Sequence, residues 1–391
     1  MWVPIREVIM RKTLSTILLL AVTLVLILTG CSTTIAIRTL VPAEVDVSGY
    51  KSMAVRSTID NTKWIVPAFW NSYIPIRGGI SEKYLSFLNF RSCLDFGVSS
   101  HISNAATKTV YKAVNTGFFK VLDPELTDSY VTIGDRNGNM KKTFLDAGVD
   151  AVLTTEISNL YYDEYIIQER SEFSSTAADG KYYPIYFYAV QKYEITISYR
   201  LTDVENNVII ASGNFSSGMR EHKTTLGKTK NAAGDYEAYS YVRIPTASSL
   251  FEEQISTFAS NFRNALSPHY VTEYFDFMPN KPKVKRLEPA YEALEDEKWG
   301  AALQIFADEY ARSKHGAAGY NACILYFTTG ERQKAYDLAQ ELYRTQSMTD
   351  ALELYHDLKK IEEKENAATK QINSTEKSGS TGGSTGSLAG F

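Results

Sequence analysis

One run of apolar residues sets the terms for the rest of the chain. Between Leu14 and Ile27 only Ser15, Thr16 and Thr23 are polar; Arg11 and Lys12 precede the run, and Leu28-Thr29-Gly30-Cys31 closes it. A basic flank, an apolar stretch and a small-residue end are the layout of an export signal that a peptidase removes. As a helix the run would cover only about 21 Å at ~1.5 Å per residue, short of the ~30 Å hydrocarbon core. Met10, directly before Arg11, could serve as the start, because the first nine residues add little to the signal. No second long apolar run follows. The only evident membrane attachment therefore lies at this N-terminal segment.

The ending Leu28-Thr29-Gly30-Cys31 resembles the lipobox of bacterial lipoproteins. That resemblance implies cleavage between Gly30 and Cys31, a diacylglyceryl group on the Cys31 thiol and an N-acyl chain on its amino group. The small residues at the cut suit a narrow peptidase site, and the thiol is the lipid-accepting nucleophile. Three acyl chains anchor far more firmly than a single marginal myristoyl chain. Ser32 lacks the acidic retention signal of enteric inner-membrane lipoproteins, so the resemblance favours the periplasmic face of the outer membrane. No cofactor is expected beyond this covalent diacylglycerol and N-acyl lipid.

Removing residues 1–30 takes out Arg6, Arg11, Lys12 and Glu7, which leaves the mature chain at a net charge near −6. An acidic chain in the envelope gives no electrostatic reason to bind nucleic acid. Its length suggests two domains. Cys93 and Cys323 are the remaining thiols, and they fall in what read as different domains, so no disulfide is expected between them.

Residues 31–48 read as a lipidated leader. Residues 49–278 read as an α+β domain, a mixed sheet with flanking helices. Its strands are expected at Lys51–Arg56, Phe118–Leu122, Val149–Leu160, Tyr186–Thr202 and Val208–Ser216, from their apolar, β-branched alternation. Asp203-Val204-Glu205-Asn206-Asn207 supplies the hairpin turn, because asparagine tolerates a left-handed backbone. Ile102, Ala106, Val110 and Val114 recur every four residues over Ser99–Asn115, and Phe251, Ile255, Phe258, Phe262 and Leu266 lie on one stripe over Ser248–Leu266; both are amphipathic helices. Met140–Ala147 is a short helix closed by Gly148. Asn61–Phe96, aromatic and proline-bearing, reads as a covering insertion, and 217–243 as a polar stretch.

A basic, proline-bearing linker occupies 279–287, and from 288 to 365 almost every residue is a good helix former. Two segments here line up at the spacing of a tetratricopeptide repeat. Tyr326, Gly330, Ala335 and Leu342 take the aromatic, glycine, small and apolar positions of one repeat. Trp299, Ala302 and Phe306 take corresponding positions of the one before it, with Ala302 and Ala335 33 residues apart. Glu297 stands where the first repeat should carry glycine, and Pro289 interrupts its leading helix. Residues 366–391, rich in Ser, Thr and Gly, cannot bury a core and read as disordered.

Three segments carry a further resemblance: Val114-Asn-Thr-Gly-Phe-Phe-Lys-Val-Leu122, Leu145-Asp-Ala-Gly-Val-Asp-Ala-Val-Leu153, and Tyr199-Arg-Leu-Thr-Asp-Val-Glu-Asn-Asn-Val-Ile-Ile-Ala-Ser212. In kind and order they resemble the envelope domain shared by the curli secretion lipoprotein CsgG and the N-terminal domain of TolB. The resemblance implies an α+β domain in an envelope assembly, and its channel-forming member suggests a subunit of a secretion channel as the alternative function. That member inserts two membrane hairpins where this chain has residues 163–190 and 215–245. Here both faces of 215–226 carry charge, at a cost of ~2–4 kcal/mol for each lipid-facing Lys or Arg at midplane, so no pore is expected.

No catalytic constellation stands out. The histidines, His101, His222, His269, His315 and His356, are scattered without ligand spacing, and no phosphate loop or nucleophile elbow occurs. Asp146, Asp150 and Glu156 read as solvated or capping groups, and Cys93 as a small buried residue. No enzyme and no metal are expected. Tyrosines are dense between Tyr161 and Tyr199, and rigid amphipathic rings suit interfaces as well as ordinary strands. Tyr161, Tyr162, Tyr186 and Tyr188, with Tyr326 in the helical part, are the candidate partner-binding residues. The expectation is a lipid-anchored periplasmic scaffold or adaptor that binds envelope proteins, of unassigned oligomeric state.

Overall fold

The computed structural model describes residues 34–62, 73–95 and 97–377. Leu28 to Cys31 lie outside the described residues, as do part of the aromatic insertion and the tail from 378. The chain divides into two compact units, one of residues 41–269 with 367–391, the other of residues 1–40 with 270–366.

The first unit is α+β. Its sheet runs in the order β11 (Tyr236–Ala238), β10 (Arg220–Thr229), β8 (Ile185–Asp203), β5 (Ala151–Arg170), β2 (Ser52–Val55), β4 (Lys120–Leu122). β3 (Ile59–Asp60) pairs with β5, and β9 (Val208–Ser216) with β8, while β6 (Ser175–Ala177) and β7 (Gly180–Tyr182) form a separate antiparallel ribbon. β2 lies parallel to both β4 and β5, whereas β5, β8, β9, β10 and β11 join antiparallel. The sheet is therefore mixed. β5 is longer than its apolar run: it stays paired with β8 from Ala151 opposite Asp203 to Arg170 opposite Ile185. Past Leu160 its polar residues find partners across the ladder, such as Asp163 opposite Lys192.

Helices α2 (Val98–Val114) and α5 (Ala247–Leu266) pack on one face. Their buried stripes include Ile102, Ala106 and Val110 on α2, and Phe251, Ile255, Phe258 and Phe262 on α5, against Leu153, Ile195, Ile197 and Leu201 of the sheet. Each of these large side chains contributes ~1.5–3 kcal/mol on full burial. Beyond them the covering insertion takes over: Ile74, Tyr84 and Leu88 close on Ile166, Phe187 and Leu226, with Tyr84 on the short helix α1 (Glu82–Leu85). On the opposite face, near the start of β5, α3 (Pro124–Asn137) and α4 (Met140–Asp146) place Val131 and Phe144 against Leu122, Val152 and Val204. The sequence reading missed α3, although Asp123 caps it through the Leu126 N–H at 2.9 Å and Pro124 opens it.

The β8–β9 turn is built as its residues require. Asn207 takes a φ of 53°, and the Asp203 carboxylate accepts from the Asn206 backbone (2.8 Å) and side chain (2.9 Å) and from the Tyr50 hydroxyl (3.0 Å). Burial pushes the Asp203 pKa up, but these hydrogen bonds outweigh it and hold it below the usual carboxylate value. Across the same hairpin Gly213 faces Tyr199. A Cβ there would fall 2.8 Å from the Tyr199 ring, which stacks on Phe215 at 5.5 Å.

The second unit is mainly helical, and it starts earlier in the chain than its composition suggests. β1 (Thr34–Val41) lies in what read as a leader, and it pairs with β12 (His269–Asp276), which read as the end of the α+β domain. Helices α6 (Glu288–Glu295), α7 (Trp299–Ser313), α8 (Gly316–Thr328), α9 (Arg332–Gln346) and α10 (Thr349–Lys377) follow. Successive helices from α6 to α9 pack on one another. Ile35, Ile37, Phe275 and Phe277 enter the same core as Ala302, Phe306, Ala335 and Leu342, so the ribbon is part of this unit. Gly330 ends the α8 turn at a φ of 87°, and Glu297 takes the matching place before α7 at 56°. α10 also corrects the tail boundary: residues 366–377, read as disordered, continue the helix. Within the linker, Lys285–Leu287 forms a turn of 3₁₀ helix that buries Leu287.

Candidate binding face

Side chains on a strand alternate between faces, and two bulges decide which residues share a face in the outer half of this sheet. In β5 the register shifts between Ile157 and Asn159, leaving Ser158 as the extra residue. From there on Tyr161, Asp163, Tyr165, Ile167 and Glu169 stand across from Glu194, Lys192, Val190, Tyr188 and Tyr186. A second shift, at Leu226 of β10, keeps Glu221, Lys223, Thr225 and Lys228 in the same row as Lys192, Val190, Tyr188 and Tyr186. The alternate residues Phe187, Ala189, Gln191 and Tyr193 are buried. The tyrosine-bearing face is the more open one: Tyr161 is 41% exposed, and Tyr186, Tyr188, Lys192 and Glu194 are half-buried.

Two of the rings on this face are held by charge. Tyr186 and Tyr188 stack with centroids 6.2 Å apart and planes 24° from parallel. The Lys223 ammonium lies 4.4 Å over the Tyr188 ring and pairs with Glu169. Arg77 lies 4.2 Å over the Tyr165 ring and pairs with Asp163 at 2.9 Å. Lys192 approaches that ring at 5.8 Å and pairs with Glu221 at 3.5 Å. Tyr165 and Tyr188 thus each meet a cation that a carboxylate also holds. Exposed cation–π contacts are worth ~0.5–1 kcal/mol and exposed ion pairs ~0–1 kcal/mol, so the effect is to fix ring positions more than to stabilise the fold. Burial and the Glu169 carboxylate push the Tyr188 hydroxyl pKa up.

Of the tyrosines singled out in the sequence, Tyr161, Tyr186 and Tyr188 share this face. Tyr162 does not: one residue along a strand points to the other side, where its ring lies 6.2 Å from Phe251. Its hydroxyl donates to Glu164 Oε2 at 2.9 Å and accepts from Gln191 Nε2 at 2.8 Å. Burial, then the Glu164 charge, drives its pKa far up. Tyr162 is a packing residue. Tyr326 belongs to the helical unit, half-buried against that core, with Lys334 at 5.4 Å from its ring. Tyr165, Arg77, Lys192 and Lys223 were missed as members of the face. Period-two alternation would have grouped Tyr165 with Tyr161, but nothing in the sequence aims Arg77 at β5.

Asp150 and Glu156 have structural partners. Asp150 Oδ2 accepts from the Lys51 and Ser52 backbone N–H groups at 2.7 and 2.8 Å. Glu156 accepts from Asn61 at 2.8 Å and faces Arg200 at 3.7 Å. Burial, with Glu164 and Asp95 nearby, pushes the Cys93 thiol up to about 12, the opposite of an activated nucleophile. Cys93 and Cys323 are both free thiols. Among the described residues no three His, Cys, Asp or Glu side chains are placed to hold a metal, and no helix is long and apolar enough to cross a membrane. Two shallow cavities of about 180 and 210 Å³ share Arg56 and Thr154.

No known family model matches the sequence, and no curated protein matches it. Among solved structures, the PelC dodecamer from Paraburkholderia phytofirmans aligns at 14% identity, covering 59% of this chain and 97% of that one, with a TM-score of 0.22. Lipoprotein GNA1162 from Neisseria meningitidis aligns at 12% identity over 55% of this chain and 99% of that one, with a TM-score of 0.23. Protein XCC0632 from Xanthomonas campestris aligns at 10% identity over 57% and 88%, with a TM-score of 0.18. Likenesses at that level carry no inference about what this chain does.

Proposed function

We propose that this chain is an envelope lipoprotein, anchored through acyl chains on Cys31, that works by binding partner proteins as a scaffold or adaptor. The helical unit is read as tetratricopeptide-like, and the outer membrane, on its periplasmic face, is the favoured site. The observation that carries the binding role is the open sheet face bearing Tyr161, Tyr165, Tyr186 and Tyr188, where paired charges hold Tyr165 and Tyr188 and Tyr186 stacks on Tyr188. Rings already ordered in the free protein lose little side-chain entropy on association, and tyrosine is enriched where partners bind. The acidic, phosphate-loop-free sequence supports binding over catalysis.

The test is a crosslinking pulldown of the lipidated protein and of a Tyr186→Ser, Tyr188→Ser variant. The melt of the variant is recorded alongside, so that recovery lost through unfolding is told apart from recovery lost with the binding face. The variant should recover its main partners at a fraction of the parental yield. Equal recovery with an unchanged melt would refute the assignment of this face. The rival channel reading has its own signature: the purified protein would raise the conductance of planar bilayers, whereas an adaptor leaves it unchanged.

A further inference from the structure

The ribbon of β1 and β12 has a face that the helical core does not use. Along β1 the buried residues are Ile35, Ile37 and Thr39, and the exposed ones are Thr34, Ala36 and Arg38. On β12 the residues Tyr270, Thr272, Tyr274 and Asp276 are exposed. Tyr274 is 72% exposed and Tyr270 47%. The Arg38 guanidinium lies 4.1 Å from the Tyr270 ring centroid, which places both on the same outer face. The inner face is satisfied from within the unit: Phe275 is buried in the core, and Glu273 pairs with Lys364 at 2.8 Å.

What this face meets follows from the chain that leads into it. Cys31 is three residues before Thr34, the first residue of β1. Three residues reach at most ~11 Å even fully extended. A diacylglyceryl group on Cys31 would hold that sulfur at headgroup depth, in a polar layer about 5–8 Å thick on each side of the hydrocarbon. The ribbon then begins within or beside that layer, with no tether long enough to lift it away. Exposed tyrosines and an arginine whose stem can lie along apolar surface are the side chains that suit a headgroup boundary.

We propose that the outer face of the β1–β12 ribbon rests on the phospholipid surface, with Tyr270, Tyr274 and Arg38 at headgroup level, so that the helical unit is held against the membrane and not on a flexible stalk. This rests on the reading of Cys31 as the lipid-bearing N-terminus. It also assigns a role to the two tyrosines of β12, which lie outside the tyrosine-rich segment of the sheet.

The experiment uses the full-length protein, processed in cells, with p-benzoylphenylalanine in place of Tyr274 and, in a second variant, of Tyr270. Both positions are exposed, so the probe needs no room in the core. Irradiated membranes are analysed by mass spectrometry for adducts, and Cys31 acylation is followed in the same preparation with a fatty-acid probe. The expected result is a phospholipid adduct at both positions that is lost in the Cys31→Ser background. Acylated Cys31 with no phospholipid adduct at either position would overturn the proposal and leave the lipoprotein reading standing. An unacylated Cys31 in the otherwise unaltered chain would overturn both. A phospholipid adduct that persists undiminished in Cys31→Ser would show contact independent of the anchor, and would overturn the argument from tether length.

Discussion

His269 shows how one side chain can make stability depend on pH. It is 5% exposed, and its Nδ1 donates to the Ser267 carbonyl at 2.9 Å. Burial, aided by the Arg263 charge, holds its pKa below the ordinary value of 6.5. Above that pH the imidazole is neutral whether the chain is folded or not, so its full contribution is present. As pH falls below it the unfolded chain takes up a proton that the folded chain refuses, and stability declines until the folded pKa is passed. His269→Gln should therefore flatten the stability curve just below pH 6.5 and leave the slope below pH 4, where carboxylates such as Asp203 titrate, as it was. Chemical denaturation at stepped pH measures both. A parental slope in the variant would show that His269 is not the group responsible.

Among the elements, those whose residues bury one stripe on their own sheet or bundle were legible in sequence. The spacing of Ile102, Ala106 and Val110 marks α2, and Phe251 to Leu266 marks α5, because apolar side chains recurring on one stripe have one helical solution. Elements built by long-range pairing were not. β1 reads as a leader because Ile35 and Ile37 have no meaning until β12, more than two hundred residues later, supplies the other strand. The tyrosine face was half legible for a related reason: the Ser158 bulge, which sets which tyrosines share a side, has no signature in the local sequence. The turn before α7 offers a test at this scale. Glu297 holds a φ of 56° where the corresponding turn before α9 uses Gly330 at 87°. A left-handed backbone costs a non-glycine residue ~1–2 kcal/mol, while glycine loses ~0.5–1 kcal/mol of extra chain entropy on folding. Glu297→Gly should thus stabilise the helical unit by up to ~1 kcal/mol. A melt unchanged or lowered would mean that the Glu297 side chain contributes an interaction that offsets the backbone strain.

At the scale of the whole molecule, a compact unit is not one continuous stretch of chain: residues 1–40 and 270–366 belong together. Residues 288–365 look self-sufficient in composition, yet the core they form also contains Ile35, Ile37, Phe275 and Phe277, all at most 9% exposed. A fragment cut at the composition boundary would uncover one side of that core. Burial of each such side chain is worth ~1.5–3 kcal/mol, a large part of the ~5–15 kcal/mol that a whole domain commands. The fragment 288–365 should therefore melt well below a 270–366 fragment, which keeps Phe275 and Phe277. A peptide of residues 33–42 added to 270–366 should raise its melting temperature in a concentration-dependent way, because it supplies the missing strand and binds the folded form alone. Circular dichroism melts across a peptide titration measure this, with a Ile35→Asp, Ile37→Asp peptide as the control. If the parental peptide shifts the melt no more than the control, β1 adds nothing to this core and the unit closes without it. If it does shift the melt, the segment that follows the proposed anchor at Cys31 is also a structural strand of the helical unit. With Cys31 acylated as proposed, a pull on the lipid would act directly on that fold, with only Ser32 and Thr33 between them.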